Sequence, residues 1–365
     1  MNFSSEKISI YLTSQVLASF FAFFLIISLI ISGNQLFLVV SQSLKEGLFD
    51  SEIFSLITLK YLRDSSFVVS LSFVLALVYS LNKLYRNSEM LILSNAGLGD
   101  YGIFKKLFSM VFFISLFVSF LSFFVSPTAI NRINFLKETA QNRPDFIFLK
   151  EGIFQNFNNN IIFFASNVSF EDEKQILRDV FLFQEEGNKL ILSKNGEKFI
   201  DPNNRVYLKL LNGKIYQNLL SANEANFSVS NFNELTFLLF KPKEIYTSNM
   251  DNSYESKGFG ELISEFNIVS LNEVFYRLSI PLSLLIMSYF SVQISRSNPR
   301  TSKNLQLGYV LIGYIFYYNM IIFNKQTFFL DLDELLLTTI SPHFLYLLLI
   351  FYVSYVRNGI LRRSN

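Results

Sequence analysis

The residue best placed to do chemistry in this sequence is Glu89, an acid that stands among apolar residues in the segment LYRNSEMLILSNAGLG at 84–99. On a helix, Met90, Ile92 and Leu93 would share one face, and Glu89 would lie within that face. A carboxylate set in an apolar ridge is suited to a charge-assisted hydrogen bond with an arginine or lysine of another protein. Recognition of a partner is therefore one interpretation of this pattern.

Residues on both sides of this ridge favour a short helix at about 88–96. Asn87 and Ser88 are suitable N-caps, and Gly97 suits the left-handed conformation that ends many helices. Two interpretations stay open at this point. The segment is either the frayed end of a membrane helix, with Glu89 in the headgroup layer, or a docking helix whose apolar ridge fills a groove of a partner.

A second polar segment, SRSNPRTSK at 295–303, is another candidate contact. Asn298 and Pro299 favour a turn, and Arg296 and Arg300 make that turn positively charged. Such a loop is also the ordinary anchor of a membrane protein on its cytoplasmic side. Its charge alone therefore does not distinguish a binding site from an anchor.

Several classes of chemistry lack their residues in this chain. The sequence has no cysteine, which excludes disulfides and thiolate metal sites, and we expect its one histidine, His343, to lie at a membrane interface. The patterns GxxxxGK[ST], HExxH and GxSxG do not occur. We therefore expect no catalytic residue, no metal, no cofactor and no ATP site in the chain itself, and no nucleic-acid partner. Energy for any transport would have to come from another protein.

Six apolar runs must position these segments. The chain has 365 residues, of which 51% are hydrophobic and 16% charged, and its mean hydropathy is +0.34. Stretches without Asp, Glu, Lys or Arg are each long enough to cross a bilayer as a helix and lie at 8–44, 65–82, 107–131, 278–295, 304–324 and 335–356. We expect six transmembrane helices without charged residues, which argues against a proton- or ion-coupled transporter.

The distribution of basic residues sets the expected orientation. If the N-terminus is cytoplasmic, the inner segments are rich in lysine and arginine, at positions 7, 83, 86, 105, 106, 296, 300, 303, 357, 362 and 363. The short outer loops hold more acidic than basic residues, in agreement with the positive-inside rule. We expect both termini to be cytoplasmic and the compartment to be the inner membrane of a bacterium.

The stretch between the third and fourth spans has the pattern of a β-domain. Runs such as IIFFASNVSF (161–170), DVFLFQ (179–184) and VYLKLL (206–211) are short and rich in β-branched or aromatic residues. Turn-forming residues separate such runs, and Asn212-Gly213 favours a type I′ hairpin. Further turns are expected at 158–160, 186–188, 195–196 and 201–204. We predict an antiparallel sandwich or open barrel outside the cytoplasm.

The expected fold is an α-helical membrane protein with six transmembrane helices and an inserted periplasmic all-β domain. Its three parts are the first three spans with the coupling segment (1–131), the β-domain (132–265) and the last three spans (266–365).

These segments together resemble the LptF/LptG permeases of lipopolysaccharide export. KLYRNSEMLILSNAGLG at 83–99 resembles the family's pattern Y-x-x-S-E-hydrophobic…G after the second span, and SRSNPRTSK resembles the Asn-Pro-Arg loop of the LptF branch. LKEGIFQNF at 149–157 and LRDVFLFQ at 177–184 are similar to the start of the family's external β-jellyroll domain. The resemblance covers essentially the whole chain and rests on the order and spacing of these motifs.

The resemblance implies a set of partners and a mechanism. In this family LptF and LptG form a heterodimer on LptB, a dimeric cytoplasmic ATPase of the ATP-binding-cassette class. ATP binding and hydrolysis close and open a cavity between the permeases, which lipopolysaccharide enters sideways between spans one and five. The lipid then passes to the β-jellyroll domains and a periplasmic bridge. The implied partners also include an LptA-like bridge protein and an LptC-like single-span regulator.

The resemblance also implies roles for particular residues. The helix at 88–96 corresponds to the coupling helix, which would contact the ATPase through Ser88, Glu89, Met90, Leu93 and Gly97. The residues that correspond to the Asn-Pro-Arg cytoplasmic loop of the LptF branch are Arg296, Asn298, Pro299 and Arg300. The expected contacts with the phosphates of lipopolysaccharide are Lys45, Lys60 and Arg63, because the expected orientation places these residues at the outer rim of the membrane.

Two alternatives remain open. An LptG-type subunit, or a homodimeric relative that exports another lipid, would have the same layout. A membrane-anchored periplasmic scaffold or sensor would also need an external β-domain. The identity of the co-purifying subunits distinguishes these functions.

Overall fold

The computed structural model of the chain separates into a helical unit and a strand unit. The residues it describes are 2–46, 50–141, 149–157, 161–171, 174–185, 188–203, 205–217, 228–240, 254–296, 305–327, 329 and 331–363. The statements below concern these residues.

Helices form most of the described chain. They are α1 (Asn2–Glu46), α2 (Asp50–Arg86), α3 (Glu89–Asn95), α4 (Asp100–Phe120), α5 (Ser126–Gln141), α6 (Phe259–Glu265), α7 (Ile268–Ile294), α8 (Leu305–Gln326) and α9 (Leu332–Arg363), with a π-helical turn, Leu121–Val125, between α4 and α5. Within the described ranges, six helical stretches are long and apolar enough to cross a membrane, and they belong to α1, α2, α4 with its continuation, α7, α8 and α9. The prediction of six membrane helices is confirmed.

Helices α2 and α7 lie at the centre of the helical unit. Many of their apolar side chains, such as Phe73 and Leu284, are fully buried, whereas α1, α4, α8 and α9 expose much of their surface. Serines fill the remaining space on both central helices, and several donate their hydroxyl hydrogen to a carbonyl one turn earlier. Ser72 donates to Val68 at 2.6 Å, and Ser288 donates to Leu284 at 2.7 Å. These small residues let the helices approach closely, and the hydroxyls of Ser72 and Ser288 are satisfied within their own helices.

The expectation that no membrane helix contains a charged residue is wrong for α7. The helix begins at Ile268, well before the charge-free run at 278–295, because Asn267 caps it: its side chain accepts a hydrogen bond from the amide of Ser270 at 2.7 Å. The added turns bring Glu273 and Arg277 into the helix, where both are buried. They are tolerated there because they pair with each other, as described below.

The described strands form one antiparallel sheet. They are β1 (Gln155–Phe157), β2 (Ile161–Glu171), β3 (Lys174–Gln184), β4 (Lys189–Ile200), β5 (Val206–Gln217) and β6 (Ser228–Phe240), and each pairs with its neighbours in the chain. This confirms the inserted antiparallel β-domain between the third and fourth membrane helices. Consecutive order in a single sheet fits the predicted open barrel better than two stacked sheets.

Two of the expected turns lie inside strands. Asn195-Gly196 belongs to β4 and Asn212-Gly213 belongs to β5, so the predicted hairpin at Asn212 is wrong. Asn212 has a φ of 53°, but the chain does not reverse there: Ser193 pairs with Gly213, and Asn195 pairs with Leu211, so the register is the same on both sides and only one pair is interrupted. The chain continues as a strand because the residues on both sides of Asn212 keep their pairing with β4.

Similar interruptions cross the sheet at one level. The strand pairings pass over Ser166, Asp179, Lys194, Asn212 and Asn233. Strand segments on both sides of this row contribute to a single apolar cluster that includes Leu177, Leu182, Ile191, Leu208 and Leu210. The pairing is therefore interrupted along this row of unpaired residues, while the strand segments on both sides of it share one core.

Candidate functional site

The short helix predicted at about 88–96 is present as α3, slightly shorter than expected. Ser88 precedes it with a φ of 63°, and its side chain makes no capping hydrogen bond, so Ser88 does not cap the helix in the way its residue type suggested. Gly97 ends the helix as predicted, with a φ of 88°. The amide of Gly97 donates to the carbonyl of Ser94 at 2.9 Å, and the next amide donates to the carbonyl of Leu93 at 3.0 Å. These two bonds form a Schellman motif.

Part of the predicted apolar ridge is buried within the chain. Met90 is 1% exposed, and Leu93 packs half-buried on the same cluster, which includes Leu107 of α4. Leu91 and Ile92 point away from it, and Ile92 is 70% exposed. The ridge is therefore divided: Met90 and Leu93 hold α3 on the helical unit, while Leu91 and Ile92 form the surface that a partner could cover.

The carboxylate of Glu89 has two hydrogen-bond donors within the chain. The hydroxyl of Tyr11, on α1, donates to Oε2 at 2.5 Å, and Nδ2 of Asn87 donates to Oε1 at 3.2 Å. Both donors are neutral, so they orient the carboxylate without neutralising its charge. A carboxylate accepts about four hydrogen bonds, and Glu89 therefore keeps the capacity to pair with a cation of a partner.

The second predicted contact lies next to the start of α4. Nε of Arg296 lies 4.0 Å from Oδ1 of Asp100, the first residue of α4. Since a few residues connect α3 to α4, Arg296 and the coupling helix lie at the same end of the helical unit. Asn298, Pro299 and Arg300 fall outside the described residues.

The three predicted phosphate contacts differ in their surroundings. The side chain of Lys45 lies outside the description, and Lys60 is buried. Arg63 is half-exposed and binds Asp64 with two nitrogens, Nε at 2.8 Å from Oδ1 and Nη2 at 3.0 Å from Oδ2. Gln35 donates to the same carboxylate at 2.9 Å. An anionic ligand at Arg63 would therefore have to compete with Asp64.

A buried arginine that the sequence reasoning missed lies beside Arg63. Arg277 is 2% exposed, and its Nε donates to Oε1 of Glu273 at 2.8 Å. Its other nitrogens donate to the backbone carbonyls of Lys257, Tyr254 and Glu255, at 3.0, 3.2 and 3.0 Å. A guanidinium has five N–H donors, and most of them are used here. Arg277 thus holds the segment before α6 against α7.

Lys325 joins the end of α8 to this group. Its Nζ lies 2.8 Å from Oε1 of Glu255, 3.3 Å from Oε2 of Glu273 and 4.2 Å from the ring centroid of Tyr276. A cavity of about 180 Å³ is lined by these side chains together with Arg63 and Asp64. We name the set Arg63, Asp64, Glu255, Glu273, Arg277 and Lys325 the outer ion cluster. The i, i+4 spacing of Glu273 and Arg277, directly before an apolar run, is the sequence pattern that could have indicated it.

His343 is buried between α7, α8 and α9, so its expected position at a membrane interface is wrong. Nδ1 lies 2.5 Å from the hydroxyl of Tyr317, and Nε2 lies 3.1 Å from Oγ of Ser279. Because Ser279 donates its own hydrogen to the carbonyl of Phe275 at 2.8 Å, it can only accept from Nε2–H. The network therefore assigns the hydrogen to Nε2, and Tyr317 donates to Nδ1.

Two outer spans expose long apolar faces. On α1 the exposed residues include Phe21, Leu25, Leu29, Ile30 and Phe37, and on α8 they include Tyr309, Ile312, Phe316 and Phe323. Such faces suit contact with acyl chains.

The strand unit carries an open groove of about 850 Å³ at the row of unpaired residues. Its apolar lining includes Phe154, Phe164, Phe181 and Leu192, and its polar lining includes Asp179, Lys194, Asn212 and Lys214. A surface of this kind fits an amphipathic molecule better than a fully polar one.

One protein family matches the sequence over nearly all of its length. The model of the family described as "Lipopolysaccharide export system permease LptF/LptG" covers residues 10–356, a range that contains α3, the outer ion cluster and the whole sheet. No curated protein matches the chain.

Proposed function

Because the chain belongs to the LptF/LptG family of lipopolysaccharide export permeases, we propose that it is the LptF-type transmembrane subunit of an ATP-driven lipopolysaccharide exporter. Family membership makes it a membrane component of a transporter, without a catalytic role of its own, that crosses the bacterial inner membrane several times. Beyond family membership, we propose the LptF branch, the ATPase partner, the orientation of the chain in the membrane and the roles of individual residues.

The geometry of α3 is the observation that supports an ATPase partner most strongly. The helix is fixed to the helical unit by Met90 and Leu93, and it presents Leu91 and Ile92 to the outside. Glu89 stands beside this surface with its charge retained. An apolar contact next to one acidic group suits a groove that carries an arginine or lysine, and in this proposal the groove belongs to an LptB-like ATPase dimer.

The proposed orientation places α3 and Arg296 in the cytoplasm, together with both termini. The outer ion cluster then lies at the periplasmic end of the helical unit, and the strand unit is periplasmic. The excess of lysine and arginine in the segments near α3 supports this arrangement.

The exposed apolar faces of α1 and α8 are the proposed contacts with lipopolysaccharide, since these helices are the first and fifth spans. The proposed phosphate contacts remain Lys45, Lys60 and Arg63, with phosphate exchanging for Asp64 at Arg63. An LptG-like second permease would complete the cavity. The groove of the strand unit would pass the lipid toward an LptA-like bridge, with an LptC-like regulator alongside.

Isolation of the tagged chain from its bacterium tests this function. We expect an ATP-binding-cassette ATPase and a second permease of the same layout to co-purify, and we expect Glu89→Arg to lose the ATPase while Glu6→Arg, at the same end of the helical unit, retains it. A chain that brings down no such ATPase, or that keeps it equally well after Glu89→Arg, contradicts the proposal. An LptG-type or homodimeric relative would be revealed by the identity of the second permease.

A further inference from the structure

The contact between Tyr11 and Glu89 joins two elements that are distant in the sequence. Tyr11 lies on the inner part of α1, the first span, and Glu89 is the first residue of α3. The hydroxyl oxygen and Oε2 are 2.5 Å apart, a short distance of the kind found when a hydroxyl donates to an ionised carboxylate. It is a direct side-chain link between the proposed ATPase contact and the first membrane helix.

The ring of Tyr11 contributes little to the core. Its side chain is 43% exposed, whereas its neighbour Leu12 is 1% exposed and packs in the same cluster as Met90. Ser9 fixes this part of α1 to α4 by donating to the carbonyl of Lys106 at 2.6 Å. Since Leu12 and Ser9 hold the helix in place, the particular contribution of Tyr11 is its hydroxyl group.

We propose that Tyr11 is a positioning residue for Glu89: its hydroxyl fixes the carboxylate in the orientation that the ATPase recognises and passes movement of α3 to α1. This inference rests on the proposed function. A neutral donor suits this task because it restricts the rotation of the carboxylate while leaving its negative charge for the partner. Asn87 restrains the other oxygen but belongs to the turn between α2 and α3, so it makes no link from α3 to α1.

The test uses the full permease complex with its co-purified ATPase, in proteoliposomes that contain lipopolysaccharide. The variants are Tyr11→Phe, Glu89→Gln and the double variant, with Tyr355→Phe as a control because that tyrosine is exposed on α9. The readouts are the affinity for the ATPase, the lipopolysaccharide released per ATP hydrolysed, and the thermal unfolding midpoint of the permease.

Tyr11→Phe is expected to lower the lipopolysaccharide released per ATP by about tenfold, the effect of losing one hydrogen bond to a charged group. The unfolding midpoint should stay unchanged, because the ring remains in place. The double variant should match Glu89→Gln alone, since the hydroxyl acts through the carboxylate. The control should behave as the parent protein does.

Two results would overturn the inference. One is an unchanged ratio of lipid to ATP in Tyr11→Phe, and the other is a double variant whose loss is the sum of the two single losses. If either occurs while Glu89→Arg still loses the ATPase, Tyr11 has no positioning role and the proposed function stands. If Glu89→Arg retains the ATPase, the proposed function itself is wrong, and the inference is wrong with it.

Discussion

Arg277 and Glu273 lie one turn apart on α7 and form a buried ion pair, with Nε of the arginine 2.8 Å from Oε1 of the glutamate. The same arginine binds three backbone carbonyls of the segment that leads into α6. One side chain thus connects a membrane helix to the polypeptide returning from the β-domain sequence. Two opposite charges can persist there because each has a partner.

Replacing Arg277 by Met should destabilise the helical unit by about 3–5 kcal/mol, because Glu273 would remain buried without its main partner. The double variant Arg277→Met with Glu273→Leu should recover part of this loss but not all of it, since the three carbonyls still lose their donor. Equilibrium unfolding in mixed detergent micelles measures both. Lys209→Met, which removes a solvent-exposed pair with Glu234, is the control and should cost much less. A full recovery in the double variant would show that the carbonyl contacts contribute nothing.

Gly213 should not tolerate a side chain. A Cβ at this position would lie 2.3 Å from the carbonyl oxygen of Leu192 and 2.3 Å from the ring of Phe232, so β4 and β5 would have to separate. Gly213→Ala is expected to destabilise the sheet by about 2 kcal/mol or more and to speed amide hydrogen exchange in both strands.

Gly260→Ala is the control for this variant. No atom lies within 4 Å of a Cβ at Gly260, and the residue is in helix α6. Alanine should therefore be neutral there or stabilising by about 0.5–1 kcal/mol. Unchanged exchange in β4 and β5 of Gly213→Ala would mean that the strands are not paired closely at Gly213.

His343→Ala should loosen the contact between α7, α8 and α9. It removes a buried ring and leaves the hydroxyl of Tyr317 without its acceptor, which together should cost about 2–4 kcal/mol. Unfolding in micelles measures the loss. The adjacent residue Phe344 is exposed, so Phe344→Ala should have a much smaller effect. Equal effects of the two substitutions would contradict a buried network at His343.

Photo-crosslinking residues introduced at Phe37 on α1 and Phe323 on α8 should label lipopolysaccharide in the assembled complex. Both side chains are exposed and apolar, and both lie on the proposed lipid-contacting spans. Phe351 on α9 is equally exposed and serves as the control, with only the weak labelling of bulk membrane lipid. Lipopolysaccharide bound to Phe351 but not to the other two positions would contradict the assignment of α1 and α8.

The membrane helices were predictable because burial in a bilayer needs a long run of residues without charge. The start of α7 was not, since its first turns contain Glu273 and Arg277, which pair with each other and also with Lys325 and with backbone carbonyls before α6. Local patterns of hydropathy contain no information about such pairing. Lys325 is the clearest case, because its partners lie on α7 and before α6.

The β-domain also shows that local sequence patterns do not reveal pairing between distant segments. Asn212-Gly213 has the residues of a hairpin, and Asn212 does adopt the positive φ that such turns need. The chain nevertheless continues as β5, because pairing with β4 and β6 on both sides of Asn212 outweighs the local preference. In α3 the sequence correctly predicted that Gly97 ends the helix, because this role depends on backbone conformation alone. It did not reveal that Met90 and Leu93 would be buried in the chain's own core.

Transfer of lipopolysaccharide in a purified system tests the central claim most directly. The chain, its second permease and the ATPase would be placed in proteoliposomes that contain lipopolysaccharide, and transfer to a soluble periplasmic bridge protein would be followed by photo-crosslinking. The account predicts transfer that needs ATP and the ATPase, and that is lost in Glu89→Arg but kept in Glu6→Arg. Transfer that proceeds without ATP, or ATP-dependent movement of a different lipid with lipopolysaccharide left in place, would contradict it.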